Sequence, residues 1–157
     1  MTTDATPRRV KLGPLDDYAG YHLRMAQDAS FQAYAARVGQ GDLRPGYFTL
    51  LTLIKENPGI TQTAISQASG RDKSTLTPAL RYLEDHGYVG RERVDSDRRA
   101  YRLFLTETGQ QAIAMLSEHA RAHDAELDRI IGLENKAEFI RILRAIAKEI
   151  PKAQGGD

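Results

Sequence analysis

Lys73, Ser74, Thr77, Pro78 and Arg81 fall in one stretch whose apolar residues, Leu76, Ala79, Leu80 and Leu83, recur at helical spacing. With successive residues turned by about 100°, the apolar set occupies one side and Ser74, Thr77, Pro78, Arg81 and Asp85 gather on the other. The chemistry open to that outer face is hydrogen bonding rather than catalysis. Hydroxyls at 74 and 77 can donate to phosphate or to base edges, and Arg81 can pair bidentately with guanine. Lys73 can reach a backbone phosphate, and Pro78 offers an apolar contact to a thymine methyl group. A helix that is small and basic toward its N-terminal half suits a major groove about 12 Å wide.

A second group follows closely. Arg91, Arg93, Arg98, Arg99 and Arg102 crowd a segment that also holds Glu92, Asp95 and Asp97. A loop carrying Arg98 beside a duplex can place it in a narrow minor groove, where negative potential is concentrated. Asp97 reads as a brace that holds Arg99 or a neighbouring arginine by a charge-assisted hydrogen bond. No nucleophile, base and orienting group share a recognisable pattern, so an enzyme is not expected and no cofactor is implied.

Elements must position these groups. Thr61 is a suitable N-cap for a short helix with Ala64, Ile65 and Ala68, and Gly70 stops it. Asp72 caps the next helix, which His86-Gly87 closes; two short helices about a tight glycine turn make a helix-turn-helix. Tyr88–Val94 and Arg99–Leu105 alternate as strands around the polar loop Asp95-Ser96-Asp97-Arg98. Upstream, Arg44-Pro45-Gly46 opens a mostly apolar helix that Asn57-Pro58-Gly59 ends. Before that, Leu15, Tyr18, His22, Met25, Ala29, Gln32 and Ala36 mark a helix beginning at Leu15 and ending at Gly39-Gln40-Gly41. Downstream, Thr106 caps a long helix whose Ile113, Leu116, Ala120, His123, Leu127 and Ile130 form a heptad-like seam that calls for a partner helix. A last helix carries Phe139, Ile142, Leu143, Ile146 and Ile150, and Pro151 ends it.

The 157 residues suffice for one core, with 41% hydrophobic and 27% charged residues and a net charge of +1, so a basic face has to be local. Cysteine is absent, which removes disulfides, thiolate catalysis and thiol redox switching. No apolar run reaches the roughly 18 residues of a membrane span, and the N-terminus lacks a secretory core segment; the pattern reads as cytoplasmic with no membrane partner.

From Ile60 to Gly109 the chain resembles the MarR family of winged helix-turn-helix regulators. The resemblance rests on Ser74-Thr75-Leu76-Thr77-Pro78 with Leu80 and Leu83, His86-Gly87-Tyr88-Val89, Asp95-Ser96-Asp97-Arg98-Arg99, and Leu105-Thr106-Glu107-Thr108-Gly109. It implies a mainly α fold with a two-stranded β wing. In this scheme residues 1–14 are a flexible lead-in, 15–150 a single domain, and 151–157 a disordered tail. Within the domain, 45–109 form the winged lobe, while 15–40 and 110–150 are dimerisation helices. The resemblance also implies a homodimer on a pseudo-palindromic operator in double-stranded DNA, usually acting as a repressor, with contacts from Thr61, Lys73, Ser74, Thr75, Thr77, Pro78, Arg81, Arg98 and Arg99.

The family places a small effector between the dimerisation helices and the lobe. Its pocket would be lined by the first two helices and the start of the long helix after the wing, with Tyr18, His22, Arg24, Met25, Tyr34, Tyr47 and Phe48 as candidates, although the same residues also read as core and dimer contacts. Leu15–Arg24 is similar to the first helix of members that control aromatic compound catabolism, which implies an aromatic acid or its coenzyme A thioester held by Arg8, Arg9, Lys11 or Arg24. Some members sense zinc, and His119 and His123, one turn apart near Asp124 and Glu126, have a spacing open to a metal; a histidine buried at the dimer interface is the preferred reading of His123. The remaining alternative is a winged helix that binds protein rather than DNA.

Overall fold

The computed structural model describes residues 10–39, 41, 43–94 and 97–150, without the side chains at 94 and 97–100. The expected tail and residues 1–9, with Arg8 and Arg9, lie outside the described residues, as does the 95–96 turn. Six helices and a small sheet follow in the order α1 (Ala19–Val38), α2 (Tyr47–Glu56), β1 (Ile60–Thr61), α3 (Gln62–Ser69), α4 (Lys73–Asp85), β2 (Val89–Val94), β3 (Asp97–Leu105), α5 (Glu107–Ile131) and α6 (Leu133–Glu149).

Local chemistry sets most of these boundaries. Thr61 Oγ1 accepts from the Ala64 amide at the start of α3, and Gly70 ends that helix at φ +69°. Asp72 accepts from the Thr75 amide at the start of α4. Thr106 Oγ1 accepts from the Gly109 amide at the start of α5 and donates to the Gly87 carbonyl, tying the helix to the turn that closes α4. Asn57 donates to the Leu53 carbonyl and finishes α2.

Three expectations change. The N-terminal helix does not begin at Leu15: Gly13–Asp17 form a 3-10 turn with Pro14 in its first positions, and Tyr18, at φ −92° and ψ 112°, is extended before α1 starts. The wing turn is shorter than expected, because Asp97 already pairs with Val94 and Arg98 lies within β3; a register shift at Arg93/Val94 accommodates this. The wing hairpin is also joined by a third strand, β1, which pairs Ile60 with Leu103 and Thr61 with Arg102 to give the antiparallel order β1-β3-β2. Two residues are too few to show alternation, so this strand leaves no sequence signature.

The core lies in the lobe. Leu50, Leu51 and Ile54 of α2 meet Ile65, Leu76, Leu80, Leu83, Leu103 and Leu116, all fully buried. It continues into α5 through Gly109, Ala112, Ile113 and Leu116. Ile113 and Leu116 are therefore covered within the single chain rather than left open for a partner helix, while Ile130 farther along the same helix is 67% exposed. Gly109 sits so close to Tyr88 that an added Cβ would lie 2.0 Å from its carbonyl oxygen. By contrast, α6 buries no residue and α1 only Tyr34. Met25, Leu133, Phe139 and Ile142 leave apolar surface open on these outer helices, and Tyr18 and Ile150 extend it just beyond their ends. No described helix is long and apolar enough to cross a membrane.

Candidate nucleic-acid interface and interhelical cleft

The outer face of α4 has the composition expected of it. Lys73, Ser74, Thr75, Thr77, Pro78 and Arg81 are all exposed, whereas Leu76, Leu80 and Leu83 on the opposite side are buried. Pro78 stands within the helix, where its missing N–H deprives the Ser74 carbonyl of its helical bond.

The hydroxyls are not simply solvated. Asp72 Oδ1 accepts from Ser74 Oγ at 2.7 Å, the Thr75 amide at 2.8 Å and Thr75 Oγ1 at 2.9 Å. These bonds hold the Asp72 carboxyl down at about 2, the Ser74 hydroxyl contributing most. The hydrogens of Ser74 and Thr75 are thus committed to the cap. Thr77 differs: Gln62 Nε2 donates to its Oγ1 at 2.7 Å, which orients the hydroxyl and leaves its hydrogen available. Arg81 makes only a loose, exposed pair with Asp85 at 3.7 Å, worth little against a competing anion. Thr61 Oγ1 likewise accepts, from the Ala64 amide, and that capping bond does not use its hydrogen.

Of the wing arginines, Arg91 is intramolecular. It reaches Glu84 of α4 at 2.6 Å and lies over the Tyr101 ring at 4.7 Å, fastening the hairpin to the helix. Arg93 and Arg102 are exposed. Arg98, Arg99 and Asp97 lie on β3 directly after the turn, and the bracing role read for Asp97 falls on side chains outside the described residues.

A cleft of about 620 Å³ opens between α1, α2 and α5, bordered by Tyr34, Phe48, Ser117, Arg121, His123 and Asp128. Tyr34 donates to the Leu116 carbonyl and lies edge-on to Phe48 with ring centres 6.1 Å apart. Burial pushes the Tyr34 phenol up from its ordinary value. Across the cleft His123 Nε2 is 2.9 Å from Ser30 Oγ. The ion pairs Arg37–Glu126 and Lys136 with Asp124 and Asp128 fasten α1 and α6 to α5 beside it.

The chain is 33% identical over 131 residues to a putative transcriptional regulatory protein for the hcr operon of Thauera aromatica, covering 77% of this chain and 79% of that protein. A model described as the MarR family matches residues 43–101. This chain belongs to the MarR family. Its fold also matches a transcriptional repressor, CouR, bound to a 23-mer DNA duplex, with a TM-score of 0.81, 32% identity, and 90% of this chain and 100% of that one covered. CouR bound to p-coumaroyl-CoA matches with a TM-score of 0.80, 30% identity, and 90% and 99% covered. These relatives are regulators rather than enzymes, and this chain is a transcriptional regulator of the MarR type.

Within this MarR-family chain only part of the expected pocket set comes together. Tyr34 and Phe48 line the cleft. Tyr47 is buried on the other side of α2, where it stacks on Tyr82. The four remaining candidates lie toward the far end of α1: His22 is tied to the Asp16 carbonyl at 2.7 Å, Arg24 pairs with Asp28, and Tyr18 and Met25 are exposed. From His22 to Tyr34 the helix advances roughly 18 Å, which sets these groups well apart along α1. The long helix also contributes its middle, Ser117–Asp128, rather than its start.

His123 faces α1 and the cleft within its own chain, bonded to Ser30. Among the described residues no third metal-ligating side chain joins His119 and His123; Arg37 engages Glu126 and Lys136 engages Asp124. Sequence reading missed Ser30 and Gln62, whose bonds to His123 and Thr77 join separate segments that spacing does not relate, and Arg121, which borders the cleft.

Proposed function

We propose that the protein is a homodimeric repressor that binds a pseudo-palindromic operator and is released by an aromatic acid or aromatic acyl-CoA effector. Residues 45–109 serve as the DNA-binding lobe, 15–40 and 110–150 as the dimerisation region, and the cleft between α1, α2 and α5 as the effector site. The observation that carries the reading is the outer face of α4, where Thr77, Pro78, Arg81 and Lys73 stand exposed on a helix firmly seated by its buried leucines. Likeness to a repressor bound to duplex DNA supports a major-groove role for this helix, and likeness to the same repressor bound to p-coumaroyl-CoA supports the effector class. Arg98 and Arg99, next to the wing turn, enter the adjacent minor groove, and exposed apolar residues on α1 and α6 supply the two-fold interface.

Selection of genomic fragments on the purified protein, followed by anisotropy titration across salt concentrations, tests the reading. The expected result is one inverted-repeat sequence with half-sites about 10 base pairs apart and an affinity that falls steeply with salt. Binding that shows no sequence preference refutes it. Release of that duplex by an aromatic acid or its coenzyme A thioester, and not by coenzyme A alone, tests the effector half.

A further inference from the structure

Gln62 is the first residue of α3, directly behind the Thr61 cap and next to β1, whose pairing with β3 fixes where the helix starts. It is half-buried, and its Nε2 donates to Thr77 Oγ1 at 2.7 Å. The first helix of the helix-turn-helix thereby holds a hydroxyl on the exposed face of the second. A threonine or serine within a helix can spend its hydrogen on the carbonyl four residues back. Thr52 and Ser117 do so, reaching the Phe48 and Ile113 carbonyls at 2.7 Å. Thr77 makes no such bond among the described residues.

A hydroxyl has one hydrogen and two lone pairs, so what it accepts from the protein decides what it offers elsewhere. With a lone pair taken by Gln62 and its hydrogen uncommitted, Thr77 offers a donor. Ser74 is the opposite case: its hydrogen goes to Asp72 at 2.7 Å, which leaves it lone pairs alone. In the major groove the acceptors are purine N7, guanine O6 and thymine O4, while the amino groups of adenine and cytosine are donors. A freely turning hydroxyl can meet either kind and distinguishes them poorly. A hydroxyl held by a neighbour meets one kind.

We propose that Gln62 is a positioning residue for DNA recognition, fixing the Thr77 hydroxyl as a hydrogen donor to an acceptor of the duplex, on a base edge or on a phosphate. The proposal rests on the operator reading above and deepens it. It assigns part of the specificity of α4 to a side chain of α3.

Anisotropy titration of the full-length protein with the duplex recovered by genomic selection, arranged as a double-mutant cycle over Gln62→Glu and Thr77→Val, is the test. A carboxylate only accepts, so Gln62→Glu takes the Thr77 hydrogen and turns a lone pair toward the duplex. Its added charge weakens binding in both backgrounds, and the cycle cancels that part. Thr77→Val should weaken binding about fivefold, the worth of one ordinary hydrogen bond. Gln62→Glu should then weaken the wild type about fivefold more than it weakens Thr77→Val. Equal losses in the two backgrounds overturn the proposal, because a Thr77 hydroxyl that already donated to residue 62 would keep its arrangement with a carboxylate there. Unaltered binding by Thr77→Val overturns it too. Circular dichroism melting checks the fold of each variant, and Thr77→Ala removes the same hydroxyl and completes the cycle if Thr77→Val does not fold. Duplexes varied one base at a time separate the two acceptors: preference lost at a single base pair in Thr77→Val places the acceptor on a base, and a uniform loss places it on a phosphate. A wild type without sequence preference removes the operator reading and this one together, whereas specific binding with additive losses removes this one alone.

Discussion

Arg81 and Lys73 share an exposed helix face but should contribute different terms to binding. A guanidinium that reads guanine carries sequence information, so Arg81→Ala is expected to weaken the selected duplex by about 1–3 kcal/mol and to relax preference at one base position. A lysine on phosphate carries none: Lys73→Ala should lower affinity across all sequences and reduce the salt slope by about 1. Anisotropy with single-base operator variants separates the two, and indifference to both changes would remove α4 from the interface. Asp72 is testable without DNA. Its carboxyl should titrate near pH 2 in a carbon-detected NMR experiment, and Ser74→Ala should raise that midpoint. Because the folded value lies below the ordinary one, the cap's contribution is present above the usual carboxylate range and fades as pH falls through about 2. A midpoint at or above the ordinary carboxylate value would contradict the three-donor cap.

At the scale of elements, the wing and α5 are joined at one close approach. The Gly109 backbone lies against the Tyr88 carbonyl, leaving no room for a methyl group. Gly109→Ala should therefore destabilise the fold by about 1–3 kcal/mol through overpacking, read as a lower urea midpoint at unchanged slope. If the midpoint does not move, α5 and the hairpin are not packed as described. The helix-turn-helix was legible because caps and stops are local: Thr61, Gly70, Asp72 and Gly87 act on backbone groups within a few residues of themselves. The strand β1 was not, since its partner Leu103 lies more than 40 positions away and two residues hold no period. The early end of the wing turn was hidden for a related reason, because a register shift is decided by cross-strand pairing.

For the whole molecule, the distribution of apolar surface is the strongest statement. The lobe has a core, whereas α6 has no buried residue in the single chain and presents Leu133, Phe139 and Ile142 to solvent, with Ile150 just past its end. Burying one Phe or Ile side chain contributes about 1.5–3 kcal/mol, so a second copy covering this face gains substantially. Phe139→Glu is expected to shift the dimer toward monomer in sedimentation equilibrium, raising its dissociation constant at least about tenfold, and to weaken operator binding with it. An unchanged dimer would place the interface elsewhere.

The sequence by itself determined the helix-turn-helix, the family, the side of α4 that faces out and the absence of thiol chemistry. Each follows from periodicity, from capping within a turn or from composition, and none requires knowing what lies across the fold. Tertiary structure decided which polar groups are already engaged. It committed Ser74 and Thr75 to Asp72 and Arg91 to Glu84, and turned Thr77 with Gln62. It also set the expected Tyr34 and Phe48 beside Ser30 and His123 in the cleft and left Tyr18, His22, Arg24, Met25 and Tyr47 out of it. Such assignments depend on which distant segments pack together, and His123 meets Ser30 across 93 positions of chain. One-dimensional spacing reports which face a side chain occupies on its own helix; only the packing of α1, α2 and α5 determines what stands opposite it.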